Sequence, residues 1–135
     1  MLSTSCEVSP KPINYNEDQC EYCRMKISDN RFGAELVTLK GKVYKYDSAE
    51  CLLRTLLEDD IENYAYKMVT DYSQPNKLIS ASDASFLISV NLPSPMGGNL
   101  TAYSEREVAV NFKEDKGGDI MNFDKLLVLY KENYK

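Results

Sequence analysis

Residues 34–59, AELVTLKGKVYKYDSAECLLRTLLED, contain the pattern that decides the fold. Two short runs rich in strand-forming residues, 34–39 and 42–46, lie on either side of Lys40-Gly41. A Gly in a two-residue connection favours a tight turn between antiparallel strands. The stretch therefore predicts a β-hairpin.

A helix is predicted directly after the hairpin. Asp47 and Glu50 have the spacing of a capping box, in which Asp47 accepts from the helix N-terminus and Glu50 reaches back. Leucines then recur at helical spacing and predict a helix to about Asp59. Residues 64–70 predict a third strand. The first half thus has the order strand–strand–helix–strand.

The same order recurs in the second half, after a predicted linker at residues 72–77. The predicted elements are strands at 85–90 and 100–103, a helix opened by a capping box at 104–107 and ended by Gly117-Gly118, a strand at 119–123, and a last helix capped by Asp124. We therefore predict an α+β fold of two related strand–strand–helix–strand units packed together, with the first unit at 19–72 and the second at 73–135.

Residues 1–18 lack an apolar period and are predicted to be a flexible leader. Within it, residues 2–6, LSTSC, resemble the end of a bacterial lipoprotein signal, where small residues precede the cysteine that is lipidated. On that interpretation Cys6 carries a lipid and residues 7–17 form a tether that holds the protein outside the inner membrane. The alternative is an ordinary disordered leader with one idle cysteine.

Composition limits the function classes. The chain has 135 residues, 43% hydrophobic and 27% charged, which is typical of a compact globular protein. A net charge of -5 argues against nucleic-acid binding, which requires a basic surface. No run approaches the roughly 20 apolar residues that cross a bilayer, so a membrane association is expected only through a lipid anchor.

The segment Cys20-Glu-Tyr-Cys23-Arg-Met25 sets two thiols and a thioether within six residues of a chain that has no histidine. Thiolate and thioether sulfur favour a soft ion such as Cu(I). A catalytic cysteine normally needs a histidine to take its proton, and none exists here. If the segment is extended, Cys23 and Met25 project from one face.

Other interpretations of the thiols stay open. Zinc requires four ligands, and Cys20, Cys23 and Cys51 supply three. Cys20 and Cys23 could instead form a structural disulfide or a redox pair. Cys51 lies in the first turn of the predicted helix, where the dipole favours a thiolate, although adjacent leucines favour a half-buried structural cysteine near the site.

Met96 lies at the centre of a Pro- and Gly-containing loop at residues 91–99. Methionine commonly fills gaps in apolar cores. A Pro-Met-Gly-Gly turn is instead suited to displaying a thioether. Met96 is therefore a candidate ligand, with core filler as the alternative.

The chain resembles the NosL family in the Cys20-x-x-Cys23-x-Met25 motif, in residues 27–34 and in the Pro95-Met96-Gly97 loop. Members are lipid-anchored copper chaperones that deliver Cu(I) for assembly of the copper centres of nitrous oxide reductase. The resemblance implies two strand–strand–helix–strand units, also seen in organomercurial lyase. It also implies that Cu(I) is surrounded by the two cysteines as thiolates and by Met25 and Met96 as weaker thioether ligands.

This chain departs from the family pattern in two respects. Many members have a histidine available to copper, so the absence of histidine here implies all-sulfur coordination. Cys51 stands where typical members are not expected to have a cysteine. A third thiolate is then available, which leaves the receiving enzyme open.

The expected function is a monomeric, non-enzymatic Cu(I) carrier in the periplasm or cell envelope. It would pass copper to a copper enzyme, nitrous oxide reductase in the first instance, or to its assembly factors. The main alternative is a thiol–disulfide oxidoreductase acting through Cys20 and Cys23. Two further alternatives are an organomercurial lyase that uses Asp47 near Cys51, and a structural lipoprotein with a small zinc site.

Overall fold

The structure, a computed structural model, describes residues 7–133. Its regular elements are, in chain order, β1 (Ala34–Thr38), β2 (Val43–Tyr46), α1 (Ala49–Leu57), β3 (Tyr64–Thr70), β4 (Leu78–Ser80), β5 (Ser85–Ile88), β6 (Leu100–Tyr103), α2 (Arg106–Lys116), β7 (Asp119–Met121) and α3 (Phe123–Asn133). Within residues 7–133, no helix has both the length and the apolar character to cross a membrane.

Two antiparallel sheets repeat one topology. The first has the strand order β2-β1-β3-β4 and the second β6-β5-β7. In each sheet the first strand of the unit lies in the middle, between its hairpin partner and the strand that follows the helix. The predicted α+β fold of two strand–strand–helix–strand units is confirmed, and β4 adds an edge strand to the first.

The segment expected to be a linker forms a turn within the first sheet. The Asp71 N–H donates to the Lys77 carbonyl at 3.0 Å, and Thr70 then pairs with Leu78 across β3 and β4. The first sheet therefore extends past residue 73, where the second unit was expected to begin.

Part of the expected leader packs against the first sheet. The Lys11 N–H donates to Glu35 Oε1 at 2.7 Å, and the Asn16 N–H to the Ile27 carbonyl at 2.7 Å. Tyr15 packs on the core so closely that a Cβ on Gly33 would lie 2.2 Å from its hydroxyl. Cys6, the candidate lipidation site, lies outside the described residues.

One apolar core joins the two units. Its fully buried members come from both halves and include Leu36, Leu52, Leu53, Phe86 and Leu126. Burying each such side chain stabilises the fold by about 1.5–3 kcal/mol relative to exposure. Cys20 and Cys51 belong to the same cluster, so the thiols lie at the edge of the main core.

The predicted capping boxes are wrong. Ser48 precedes α1 with no side-chain cap, and Glu105 precedes α2 likewise. One polar side chain of each box bonds to a distant partner instead: Glu50 accepts from a loop of the second unit, and Ser104 donates to Asp71.

The last helix also begins differently from the prediction. Asn122 Oδ1 accepts the Lys125 N–H at 2.9 Å, which makes Asn122 the capping residue in place of Asp124.

Candidate metal centre

Residues 19–26 form a tight antiparallel turn that presents the first two thiols. Gln19 and Lys26 form a β-bridge, and the Cys20 N–H donates to the Met25 carbonyl at 2.8 Å. Arg24 has φ 68°, in the left-handed region. The extended backbone expected between Cys23 and Met25 is therefore wrong, because the chain reverses there.

A backbone contact joins this turn to the hairpin that leads into α1. The Glu21 N–H donates to the Lys45 carbonyl at 2.9 Å, at the end of β2. Cys51 lies in the first turn of α1, just beyond β2, and its sulfur accepts from Ser48 Oγ at 3.8 Å. The fold thus brings the third thiol towards the first two.

The sulfur atoms of Cys20, Cys23 and Cys51 all lie within 4.8 Å of one another. Metal–thiolate bonds are about 2.3 Å, as for zinc, so two sulfurs on a shared ion are at most about 4.6 Å apart. The observed upper limit for the sulfur–sulfur distances, 4.8 Å, is only slightly larger. The three thiols could therefore hold one soft metal ion after small side-chain movements.

The site is buried on one side and open on the other. Cys20 and Cys51 are 0% exposed, whereas Cys23 is partly exposed. Met25 is 63% exposed. Cys23 is consequently the most exposed of the three thiols, and Met25 lies two residues further along the same turn.

The environment favours a negative charge on Cys20. The Cys51 thiol is hydrogen-bonded to the Cys20 sulfur and, with backbone N–H groups of Cys23, Asp47 and Tyr22, lowers the pKa of Cys20 well below its ordinary value despite burial. The same contact and burial raise the pKa of Cys51. Within this pair the negative charge is therefore favoured on Cys20 and the proton on Cys51.

The pKa values of two other groups at the site, Cys23 and Asp47, are raised, which favours their protonated, neutral forms. Burial raises the pKa of Cys23, and burial raises the pKa of Asp47 to about 6, with the negative charge on Cys20 adding to the effect. Asp47, the carboxylate considered for a lyase mechanism, contacts Cys20 through its backbone N–H.

The two candidate thioether ligands both follow the Cys20–Cys23 pair in the chain and differ in burial. Met25 contacts the Cys23 sulfur through its backbone N–H. Met96 is half-buried and packs on the core cluster that contains Cys20 and Cys51. The fold thus brings together the three cysteines, with Met25 at the surface and Met96 on a loop of the second unit.

Glu50 is the residue near the site that sequence patterns missed. It directly precedes Cys51, and its Oε2 accepts from Ser94 Oγ at 2.8 Å and from the Gly98 N–H at 2.6 Å. Both donors belong to the loop that carries Met96. The sequence around Glu50 matches a capping box, which already explains a glutamate at this position. No sequence pattern therefore indicated a contact with the distant loop.

The fold and the three convergent thiols define the class, a small α+β protein of two related units with a candidate soft-metal site. The NosL family model matches residues 12–128, and the chain belongs to the NosL family. Its fold is similar to the crystal structure of the copper chaperone NosL from Shewanella denitrificans, with a TM-score of 0.75 and 24% identity over 87% of this chain and 95% of that chain. No curated protein matches the chain.

Proposed function

We propose that this protein is a Cu(I) carrier that delivers copper to a copper enzyme. The observation that supports the proposal most directly is the convergence of three thiols within 4.8 Å in a chain of the NosL family. The Shewanella denitrificans NosL, whose fold this chain shares, is a copper chaperone.

Cys20, Cys23 and Cys51 are the proposed thiolate ligands. Cu(I) is a soft ion and binds thiolates in preference to oxygen ligands. Metal binding requires deprotonated thiols and releases their protons. The low pKa of Cys20 supplies one thiolate before copper arrives, and the Cys51 proton is released to solvent when the ion binds the Cys51 sulfur.

Met25 and Met96 are proposed as weaker thioether ligands. A neutral thioether leaves no uncompensated charge when it detaches from the ion, so it suits a ligand that is exchanged. Met25 is exposed on the same turn as Cys23, which favours a role during entry and release. Met96 is half-buried on the opposite unit, which favours a role while copper is held.

Release is proposed to begin at Cys23, the partly exposed thiol. A sulfur of the receiving protein binds Cu(I), Cys23 dissociates, and the two buried thiols follow. The ion stays Cu(I) throughout, and each bond to sulfur that breaks is replaced by another. No substrate is converted to a product, so the proposed role is that of a carrier and not of an enzyme.

Nitrous oxide reductase or its assembly factors are the proposed receivers, with copper handed over for maturation of that enzyme. The net charge of -5 would steer this protein towards a basic surface on the receiver. A lipid on Cys6 would hold the protein, which we propose to be a monomer, at the periplasmic side of the cell envelope.

The experiment is a Cu(I) titration against a competing chelator. The wild-type protein should bind one Cu(I), and both Cys23→Ser and Met96→Ala should weaken binding. Met68→Ala, which truncates a partly buried methionine in β3, is the matched control and should bind as the wild type does. Weak binding that neither variant changes would contradict the proposal.

Delivery is tested by mixing the Cu(I)-loaded protein with copper-free nitrous oxide reductase and following copper incorporation. The competing functions have their own readouts in the same preparation. Insulin reduction that is lost in Cys20→Ser would favour an oxidoreductase. Release of mercury from an organomercurial would favour a lyase.

A further inference from the structure

Glu50 is a buried carboxylate that links the two units beside the thiol cluster. It is 1% exposed and directly precedes Cys51 in α1. Its Oε2 accepts two hydrogen bonds from the second unit, from Ser94 Oγ at 2.8 Å and from the Gly98 N–H at 2.6 Å. The contact joins the helix of one unit to the β5–β6 loop of the other.

The loop between the two donors is ordered around Met96. The Gly97 N–H donates to the Ser94 carbonyl at 2.9 Å, which closes a turn with Met96 inside it. Ser94 Oγ also accepts the Leu100 N–H at 3.3 Å, at the start of β6. Glu50 therefore holds both ends of a short turn whose central side chain is a thioether.

The contact is close enough to exclude a side chain. A Cβ on Gly98 would lie 2.5 Å from Glu50 Oε2 and 2.9 Å from its Cδ. The backbone of residue 98 thus approaches the carboxylate within hydrogen-bond distance only because residue 98 is a glycine.

Burying the Glu50 carboxylate costs free energy, and Glu50 does not recover it by capping α1. A buried carboxylate is destabilising unless its oxygens are hydrogen-bonded. Glu50 Oε1 is buried without a hydrogen-bond partner among the described residues, and α1 has no side-chain cap. The two bonds to the Met96 loop are the described contacts that offset this cost.

We propose that Glu50 is a positioning residue that fixes Met96 relative to the thiol cluster and strengthens Cu(I) binding only through Met96. The inference rests on the proposed function. Because Glu50 and Cys51 are consecutive in α1, the carboxylate fixes the loop to the same helical turn that presents the third thiol. A thioether held in place before copper arrives loses less conformational freedom on binding it.

The test is a double-mutant cycle of Cu(I) affinity with Glu50→Gln, Met96→Ala and the double variant. Gln keeps the size of Glu but presents an amide N–H₂ or a neutral oxygen to the loop donors. We expect each single variant to weaken binding by a similar factor of about ten, and the double variant to bind as Met96→Ala does. Glu107→Gln, the same charge change at an exposed position in α2, should have no effect.

A second readout distinguishes positioning from general stability. In protein with carbon-13-labelled methionine methyl groups, the Met96 signal should shift on Cu(I) addition in the wild type and should not shift in Glu50→Gln. Ser94→Ala removes one of the two bonds to Glu50 and should have a smaller effect in the same direction. Ser94→Ala also replaces Glu50→Gln in both measurements if Glu50→Gln does not fold.

The outcomes separate the inference from the proposed function. If the wild type fails to compete for Cu(I), the proposed function fails. If the wild type binds Cu(I) but Glu50→Gln binds equally well, or weakens binding in the Met96→Ala background as much as alone, the inference alone is overturned. It is also overturned if Met96→Ala leaves the affinity unchanged.

Discussion

The Glu50 carboxylate accepts the backbone N–H of Gly98 at 2.6 Å and so connects the helix that carries Cys51 to the loop that carries Met96. The contact joins residues of the two repeated units. The first unit carries the three thiols and the second carries Met96, the candidate thioether ligand. A site that uses both would therefore depend on how the two units are held together.

Gly98→Ala should destabilise the protein. The added Cβ would lie 2.5 Å from Glu50 Oε2, so either the loop or the carboxylate must move and the buried hydrogen bond is lost. We expect the free energy of unfolding to fall by about 1–3 kcal/mol, as when a buried polar group is left unpaired. Urea unfolding followed by circular dichroism measures this, and an unchanged midpoint would contradict the described contact.

The Cys20 thiolate should persist in the reduced, copper-free protein well below the ordinary thiol pKa of about 8.5. Because the interaction with the Cys51 thiol is the largest cause of the low pKa, Cys51→Ala should raise the pKa of Cys20 towards that ordinary value. The thiolate absorbance in the ultraviolet, followed against pH, checks this. Cys23→Ala keeps the backbone donor at residue 23 and should shift the transition less; equal shifts in the two variants would contradict the assignment.

Asp71→Asn should destabilise the protein at neutral pH and less so in acid. Burial alone would raise the pKa of Asp71, but hydrogen bonds from Ser104 and Ser73 outweigh it and hold the pKa at about 2. A folded-state pKa below the unfolded value of about 3.9 stabilises the fold above pH 4, and that stabilisation is lost as the pH falls towards 2.

The expected difference between wild type and Asp71→Asn is about 2.5 kcal/mol at neutral pH, from a shift of nearly two pKa units at about 1.4 kcal/mol each. Unfolding in urea at a series of pH values measures it. Asp83→Asn, at an exposed position, is the matched control. A difference that does not shrink between pH 4 and pH 2 would show that the ionised carboxylate is not its source.

Met25→Ala should slow copper transfer without destabilising the fold. The side chain is 63% exposed, so its removal leaves no cavity and the thermal midpoint should stay within the range of surface substitutions. Since Met25 lies on the same exposed turn as the Cys23 thiol and is a proposed ligand during release, we expect the rate of Cu(I) transfer to a competing chelator to fall. Val90→Ala, which also truncates an exposed apolar side chain, is the control. Equal rates of Cu(I) transfer in the two variants would show that Met25 takes no part in transfer.

The repeated fold could be predicted because its signals are local. The strands at 64–70 and 100–103 have the predicted bounds, since alternation and flanking turn residues specify short strands well. The C-terminus of α2 was also predicted, because Gly117 adopts a φ of 80° that favours glycine.

The assembly of the site could not be predicted, because it depends on contacts between distant segments. Cys51 meets the first two thiols because the Cys20 turn docks on β2 through Glu21 and Lys45, and no residue spacing reports that contact. The role of Glu50 was hidden for a similar reason. Its spacing from Asp47 matches a capping box that does not form, and its actual partners, Ser94 and Gly98, lie more than 40 residues away.

The proposed copper site holds one Cu(I) ion through the sulfur atoms of Cys20, Cys23 and Cys51. Its ligands can be measured by X-ray absorption at the copper edge of the Cu(I)-loaded protein, in the wild type and in Cys51→Ser. We expect a first shell of sulfur alone in the wild type and one sulfur fewer in the variant. Oxygen or nitrogen ligands in the wild type, or an identical sulfur shell in Cys51→Ser, would contradict it.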